Sequence, residues 1–314
     1  MHEWRASAPS SQRWLRPTAI TVLQTWQFPL ERTRNLRIAL LPSLPVKTTP
    51  TRIRKALTIA GSDSGAGAGI QADLKTFAAL GVYGTSAITA ITAQNTVGVT
   101  QVLALSPKLV AAQIDAIISD IGAHALKTGM LANAPIIDTV AKKLREYGLK
   151  NIVVDPVMVA TSGDLLIQKN AVNALRNYLI PLATVVTPNI PEAEELTGMK
   201  LRASKDIEEA VRRIVKMGAR SVVIKGGHRS GPAMDLFYDG KKMTALHAPR
   251  IRTQNTHGTG CTFSAAIAAH LARGETLDRA VALAKKFITQ AIRSSFTIGA
   301  GHSPVHHFYR FWRK

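Results

Sequence analysis

The chain has 314 residues and is poor in cysteine and in aromatic side chains. Its one cysteine, Cys261, excludes an intramolecular disulfide and indicates a reducing compartment, so we expect a cytoplasmic protein. Aromatic residues make up 5% of the chain and are not interleaved with basic runs, which argues against a surface that stacks nucleobases. The sequence also lacks an apolar run long enough to span a bilayer, and we expect no membrane partner.

Acidic residues are scarce, 20 against 40 basic ones, and the formal net charge is +20. A charge of this size is typical of proteins that bind a nucleic acid, a membrane surface or an anionic substrate. Beyond residue 52, however, the basic side chains are scattered along helical segments such as "KKLREYGLK" and "RRIVKMGAR". Solvated helix faces explain this scatter better, so nucleic-acid binding is kept only as a minor alternative.

Residues 1–52 differ in composition from the rest, with eight Arg or Lys, two Glu and three of the four Trp, and they show no clear period. An Arg-rich, acid-poor start is typical of an organelle targeting segment. A disordered tail, or a start codon assigned too far upstream, would leave the same pattern, and we favour these two interpretations. We therefore expect the folded domain to comprise residues 53–314.

From residue 55 onward, apolar β-rich runs alternate with helical patterns. Continuously apolar runs such as "IVVD" and "SVVIK" are typical of strands buried on both faces. The alternation predicts an α/β fold with a mainly parallel central sheet and helices on both sides. In "DLFYDGKKMTALHA", Asp239-Gly240 lies between two β-like runs and predicts a short antiparallel hairpin at the edge. The predicted strands are residues 56–60, 86–93, 125–128, 151–155, 184–187 and 221–225; the predicted helices are residues 70–80, 107–121, 135–147, 169–179, 191–196, 204–217, 262–272 and 277–294.

Each of the six predicted strands is followed by glycine, a carboxylate, an amide or lysine. The segments after the strands are "GSDSGAGAG" (61–69), "QN" (94–95), "TGM" (128–130), "DPVM" (155–158), "TPNIPEAEEL" (187–196) and "KGGH" (225–228). Ligands of such sheets bind beyond the carboxyl ends of the strands. Six convergent tips of this kind predict one ligand site.

The stretch "QNTHGTGCTFSAAIAAHLA" places Gly258 and Gly260 directly before a small-residue apolar helix. Glycines let the backbone turn sharply, and the free N–H groups and positive dipole end of a helix start attract anions. The pattern fits a phosphate site, although a tight loop before a buried helix would look the same. The glycine-rich segment 61–69 has neither the dinucleotide fingerprint nor the P-loop spacing, and it is either a flexible turn or a close wrap around a small ligand.

Asn189 and Glu192 lie three residues apart at the start of a predicted helix, just beyond a strand. Their oxygen atoms could hold Mg²⁺, directly or through water, although Glu192 could equally be a carboxylate that favours the helix start. Lys225 ends a buried strand, where its charge could meet a phosphate or simply reach solvent. Phosphoryl transfer needs a metal, a cation and amide donors together.

Seven motifs in order carry a resemblance to a known family. They are "LTIAGSDSGAGAGIQADLKTFAALGVYG", "ITAQNT", "KTGMLA", "VVDPVM", "TPNIPEAEEL", "KGGH" and "NTHGTGCTFSAAIAAHLARG", followed by "GHSPVHHF". From about residue 55 to about residue 309 the chain resembles the hydroxymethylpyrimidine/phosphomethylpyrimidine kinases of thiamine biosynthesis. The resemblance implies a ribokinase-like three-layer sandwich for residues 53–314 and leaves residues 1–52 unaccounted for.

The resemblance implies two sets of site residues. The pyrimidine would be bordered by Gly61, Ala68, Gln94, Met130 and Val157, with Gln94 hydrogen-bonding the ring nitrogen and amino group. ATP and Mg²⁺ would be held by Asp155, Asn189, Glu192, Lys225 and Gly226, with Asp155 and Glu192 nearest the metal. The catalytic anion hole would be formed by Gly258, Thr259, Gly260 and Cys261.

Cys261 occupies a position where many ribokinase-like relatives carry an aspartate base. A thiol at a helix start has its thiolate favoured. Cys261 would then either deprotonate the substrate hydroxyl or only line the anion hole.

The implied activity is ATP-dependent phosphorylation of 4-amino-5-hydroxymethyl-2-methylpyrimidine, and then of its monophosphate to the diphosphate. Small-molecule pyrimidine and ATP would be the partners, and the resemblance implies a homodimer. An amide such as that of Gln94 offers both a donor and an acceptor to an aminopyrimidine edge. The alternatives are a pyridoxal or pyridoxine kinase, and a non-catalytic protein that binds a pyrimidine or a nucleic acid.

We expect deletion of residues 1–51 to leave the melting temperature and the turnover of the chain unchanged, because the segment shows no pattern that would let it join the core. Thermal unfolding and kinase assays of the full and shortened chains check this. A large loss of either quantity would show that the segment docks on the domain or covers the site.

Overall fold

The computed structural model describes residues 53–158, 169–226 and 233–312. Its strands are β1 (Lys55–Asp63), β2 (Tyr83–Gln94), β3 (Val99–Ala104), β4 (Ala125–Thr128), β5 (Ile152–Val154), β6 (Val185–Val186), β7 (Val222–Ile224), β8 (Ala233–Tyr238) and β9 (Met243–Ala248). Its helices are α1 (Gly69–Ala79), α2 (Pro107–Asp120), α3 (Ala134–Glu146), α4 (Lys169–Ala174), α5 (Ile190–Thr197), α6 (Ser204–Lys216), α7 (Thr259–Ala272) and α8 (Leu277–Arg293). A π turn over Leu175–Leu179 and a 3-10 turn over Ile180–Leu182 continue α4. Among the helices described here, none is long and apolar enough to cross a membrane.

The strands form one sheet in the order β3-β2-β1-β4-β5-β6-β7-β8-β9. The six from β2 to β7 in this order are parallel to one another. β3 pairs antiparallel with β2 at one edge, and β8 and β9 form an antiparallel hairpin at the other. The predicted fold, including the hairpin around Asp239-Gly240, is confirmed.

Both faces of the sheet are covered by helices, because successive strand residues point to opposite faces. In β5, Ile152 and Val154 belong to a core shared with α2, α3, α5 and α6. Val153, between them, belongs to a second core shared with α1, α7 and α8. The continuously apolar runs of the sequence therefore reflect a three-layer arrangement with the sheet in the middle.

Among the differences from the sequence-based prediction, three bear on the site or on the edge of the sheet. β1 continues to Asp63, because Ser62 and Asp63 resume pairing with β2 after a register shift at Gly61, so Gly61 lies in the strand and not in the glycine loop. α7 begins at Thr259 and not at residue 262, so Thr259, Gly260 and Cys261 form its first turn. β3 was not predicted, since five of its six residues are exposed and it has no apolar face.

A buried ion pair ties α1 to the sheet. Asp73 of α1 and Lys127 of β4 are fully buried, with Nζ 2.9 Å from one carboxylate oxygen and 3.0 Å from the other. Thr58 of β1 donates a hydrogen bond of 2.6 Å to the same carboxylate. Burial alone would lower the pKa of Lys127, but the Asp73 carboxylate outweighs burial and raises it. Asp73 thus pairs with the sheet and does not serve the helix dipole.

We expect Lys127→Met to lower the free energy of unfolding by roughly 3–5 kcal/mol, because it leaves the Asp73 carboxylate buried without a cation. Urea unfolding checks this. Lys142→Met is the matched control, since Lys142 is 70% exposed in its pair with Asp138 and such surface pairs contribute about 0–1 kcal/mol. Equal losses in the two variants would contradict the prediction.

Candidate functional site

The parallel strands bring their carboxyl ends to one edge of the sheet, and the predicted site residues gather there in two groups. The first group lies at and after the carboxyl ends of β1, β2 and β4 and is called the substrate side: Gly61, Ala68, Gln94 and Met130. The second lies beyond β5, β6 and β7 and is called the phosphate side: Asp155, Asn189, Glu192, Lys225 and Gly226. Val157, two residues after Asp155, is half-buried and packs against the core that Ile152 and Val154 share.

On the substrate side, Gly61 and Met130 are in contact, because a Cβ built on Gly61 would lie 2.5 Å from the Met130 Cε. The Gln94 side chain lies between Thr92 and His257. Its Oε1 accepts a hydrogen bond of 3.1 Å from Thr92, and its Nε2 lies 3.5 Å from the His257 Nε2. The His257 Nε2 also lies 2.9 Å from the Asp63 carboxylate and donates to it, so its approach to the Gln94 Nε2 is a contact and not a hydrogen bond.

Asp63, at the end of β1, organises the glycine loop. Its carboxylate accepts hydrogen bonds from the backbone N–H groups of Gly65, Gly67 and Ala68 at 2.8–3.0 Å. The same carboxylate lies 2.9 Å from the His257 Nε2. Burial alone would raise the pKa of Asp63, but the His257 contact and the N–H donors outweigh it and lower the pKa. A stable carboxylate thus fixes the shape of a loop that holds three glycines.

On the phosphate side, Lys225 lies between two carboxylates. Its Nζ is 2.9 Å from Asp155 and 3.9 Å from Glu192. Asp155 also accepts hydrogen bonds from Thr187 (3.1 Å) and Ser264 (3.0 Å). Burial would lower the pKa of Lys225, but Asp155 and Glu192 raise it, so the ammonium stays charged.

Asn189 and Glu192 form a reciprocal capping box at the start of α5. The Glu192 N–H donates to the Asn189 side chain at 2.9 Å, and the Asn189 N–H donates to the Glu192 carboxylate at 2.8 Å. Burial raises the pKa of Glu192 to about 7, against the pull of Lys225 and with the help of Asp155. The helix-start interpretation of Glu192 therefore holds, and the same carboxylate also faces Lys225.

The first turn of α7 touches both sides of the site. Gly258, which caps the helix, has φ of 75°, and a Cβ there would lie 1.8 Å from the Gly67 carbonyl oxygen. A Cβ on Gly260 would lie 3.2 Å from the Lys225 Nζ and 3.8 Å from an Asp155 oxygen. The Thr259 hydroxyl donates to the Thr256 carbonyl. No side chain caps this helix start. The Thr259 N–H donates to the Thr256 carbonyl at 3.2 Å, and the N–H groups of Gly260 and Cys261 are the donors that a phosphate would use.

Cys261 is half-buried in this first turn. Burial, with Asp73 and Asp155, raises the pKa of its thiol to about 11, although Lys127 and the Gly69 N–H oppose the shift. The expectation that the helix start favours the thiolate is therefore wrong for this chain. Desolvation and two carboxylates outweigh the Lys127 cation and the Gly69 N–H.

The donor set fits Mg²⁺ in the manner of nucleotide-binding sites. Within the described residues no group of three His, Cys, Asp or Glu side chains could hold a metal ion by itself. Mg²⁺ is commonly bound by one or two carboxylates together with phosphates and water. Asp155 and Glu192, which share Lys225, supply two carboxylates of this kind.

A mainly parallel sheet between helical layers, with a glycine-started helix facing strand-end carboxylates and lysine, defines a ribokinase-like small-molecule kinase. The profile of the phosphomethylpyrimidine kinase family matches residues 63–306, and the chain belongs to this family. The family predicted from the sequence is confirmed.

Two curated relatives illustrate the similarity. The hydroxymethylpyrimidine/phosphomethylpyrimidine kinase of Rhizobium meliloti is 54% identical over 262 residues, which cover 82% of this chain and 98% of the relative. The thiamine biosynthesis bifunctional protein ThiED of Geobacter sulfurreducens is 53% identical over 252 residues, 80% of this chain. The matched region spans about half, 51%, of that longer relative.

Solved structures of related kinases share the fold of this chain. The ADP complex of Bacillus subtilis pyridoxal kinase is 45% identical with a TM-score of 0.77, covering 82% of this chain and 99% of that structure. The phosphomethylpyrimidine kinase of Clostridium difficile is 46% identical with a TM-score of 0.69, covering 76% and 99%. The likeness thus includes kinases named for two different substrates.

Sequence reasoning missed two residues that hold the site together, Asp63 and His257. Asp63 could have been found, because an aspartate directly before a glycine-rich loop often accepts N–H groups of that loop. His257 gave no comparable signal, since its partner Asp63 lies 194 residues away. Of the segment "KGGH", residues 227 and 228 lie outside the described residues.

We expect alkylation of Cys261 by iodoacetamide to keep rising by about tenfold per pH unit up to pH 10, because only the thiolate reacts and its pKa is raised. Mass spectrometry reads the site without ambiguity, since the chain has one cysteine. In urea the same thiol should level off near its ordinary pKa of about 8.5. A plateau below pH 8 in the folded chain would contradict the raised pKa.

Proposed function

We propose that this chain phosphorylates the hydroxymethyl group of 4-amino-5-hydroxymethyl-2-methylpyrimidine with ATP, and then converts the monophosphate to the diphosphate, in thiamine biosynthesis. Family membership and the named relatives support this assignment. One geometric observation carries it: the first turn of α7 lies against the substrate side through Gly258 and against the phosphate side through Gly260. A phosphoryl group at this turn would sit between the two sides.

On the substrate side, Gln94 would bind the pyrimidine edge. The amide lies beside Thr92 and His257 and would present a donor and an acceptor to that edge. Gly61 and Ala68 would border the ring, and Met130 and Val157 would pack against it. Such packing excludes water from the reacting hydroxyl.

On the phosphate side, Asp155, Asn189, Lys225 and Gly226 would hold ATP, and Asp155 and Glu192 would be nearest to Mg²⁺. When bound, the metal would neutralise charge on the transferring phosphate. Lys225 is charged and oriented by Asp155 and so can meet a phosphate oxygen. The amides at Gly258, Thr259, Gly260 and Cys261 would receive the charge that develops during transfer.

Cys261 is proposed to line this anion hole with its thiol protonated at neutral pH. A role as general base would require its pKa to fall by about four units from about 11 when substrates bind. The backbone N–H of the same residue needs no such change. The raised pKa therefore favours the lining role over the base role.

Pyridoxal kinase activity is the second candidate. The similarity to Bacillus subtilis pyridoxal kinase, at 45% identity and a TM-score of 0.77, favours it.

A cytoplasmic location, a homodimeric state and the absence of nucleic-acid and membrane partners complete the proposal.

A coupled ADP-release assay with the full chain tests both candidates. The aminopyrimidine and its monophosphate should each stimulate ATP turnover, and pyridoxal should be poorer, if the proposal is right. Turnover on pyridoxal alone would assign the second candidate. Salt-dependent binding of RNA or DNA, without turnover on either alcohol, would contradict both kinase candidates and favour a nucleic-acid-binding protein.

We expect Gly260→Val to fold and to bind the pyrimidine but to lose about 10²–10³ in kcat, because the new side chain crowds Lys225 and the amides of the first turn. Gly260→Ala, whose Cβ would already lie 3.2 Å from the Lys225 Nζ, should lose less. Calorimetry with the pyrimidine and steady-state kinetics check the two effects. A normally active Gly260→Val chain would remove the anion hole from the proposal.

A further inference from the structure

The segment that follows α8, residues 298–305, packs against the loop that follows Gln94. We call it the terminal segment. His302 donates its backbone N–H to the Thr96 carbonyl at 2.7 Å, and Gly301 donates to the Thr96 hydroxyl at 3.2 Å. A Cβ on Gly301 would lie 2.0 Å from the Thr96 carbonyl oxygen. Glycine at 301 is what lets the two backbones meet.

The same segment is bonded to the residue that precedes α7. The His257 N–H donates to the Ser303 carbonyl at 3.1 Å, and the Val305 N–H donates to the His257 carbonyl at 3.4 Å. His257 and Pro304 form an isolated parallel bridge. The terminal segment therefore reaches the anion hole through backbone bonds, one residue before Gly258.

The turn that carries the first attachment is closed on itself and ends at Ser303, where the second attachment begins. The fully buried Ser303 hydroxyl donates to the Ile298 carbonyl at 2.6 Å and accepts from the Ile298 N–H at 2.9 Å. Two bonds across five residues make the turn short and stiff. The turn thus holds the contact with Thr96 at a fixed distance from the contact with His257.

The two attachments lie beside the two reacting parts of the site. Thr96 is two residues after Gln94, and His257 is directly before Gly258. His257 also places its ring 2.9 Å from Asp63 and 3.5 Å from the Gln94 amide. Displacing the segment would therefore move Gln94 relative to the first turn of α7.

We propose that the terminal segment is a positioning element: it sets the distance between Gln94, which would bind the substrate edge, and the anion hole, which would receive the phosphoryl group. This inference rests on the proposed function. A misplacement of about 1 Å between reacting groups can cost about 10²-fold in rate. Gly301 and Ser303 are positioning residues, because they would act through Thr96 and His257 and belong to neither side of the site.

Gly301→Ala tests the proposal, since one methyl group would push Thr96 away from the segment. We expect kcat with the pyrimidine to fall at least tenfold and its KM to rise at least threefold, with the KM of ATP within twofold. Gly148→Ala is the control: Gly148 lies just after α3, a Cβ there would meet no heavy atom within 4 Å, and its φ of 56° makes alanine strained at that position. The control should lower the melting temperature but keep all three kinetic values.

Ser303→Ala gives a second route that adds no atoms and only opens the turn. We expect it to shift kcat and pyrimidine KM in the same direction as Gly301→Ala, and it decides the matter if Gly301→Ala fails to fold. A merely structural role would lower the melting temperature and leave the pyrimidine KM unchanged. Values within twofold of the parent chain in Ser303→Ala would overturn the proposal.

Hydrogen exchange separates this inference from the proposed function. The amides of Val97, Gly98 and Thr259, which are bonded within the two loops, should exchange at least tenfold faster in Ser303→Ala. Unchanged exchange in both loops would refute the positioning role even if the enzyme is a kinase. No turnover by the parent chain, with faster exchange in the variant, would refute the function and leave the coupling of the loops intact.

Discussion

The backbone of Gly258 lies against the backbone of Gly67, and the two-sided site depends on that contact. A Cβ at position 258 would fall 1.8 Å from the Gly67 carbonyl oxygen and would also have to accept φ of 75°. With glycine there, the start of α7 closes on the loop that Asp63 holds in shape. Neither the substrate side nor the phosphate side is complete without this junction, because each supplies one wall of the space before the helix.

The charges around this junction are mostly offset before any ligand binds. Lys225 is paired with Asp155 and lies near Glu192, and Lys127 is paired with Asp73. Lys225 can still meet a phosphate oxygen, but most of the attraction for a phosphate falls to the start of α7 and to a cation that accompanies the phosphate, such as the proposed Mg²⁺. This division suits a site that must release a charged product as readily as it binds a charged donor.

The strands and helices that position the site were predictable, because buried parallel strands read as unbroken apolar runs and their carboxyl ends must meet. β3 escaped prediction because its exposed residues carry no alternation. The proximity of Asp155, Glu192 and Lys225 was predictable, because each comes at or just after the carboxyl end of a predicted parallel strand. The Asp63–His257 pair and the raised pKa of Cys261 depend on burial and on contacts between distant segments, which local patterns do not encode.

The raised pKa of Cys261 also bears on how the chain would withstand oxidants. Oxidation to sulfenic acid proceeds through the thiolate, and a thiol with a pKa of about 11 offers very little thiolate at neutral pH. The chain has no second cysteine that could resolve an oxidised one. The slow formation of the sulfenic acid therefore protects Cys261 against peroxide. A sulfonate at Cys261 would place negative charge in the space that the proposal assigns to a phosphate.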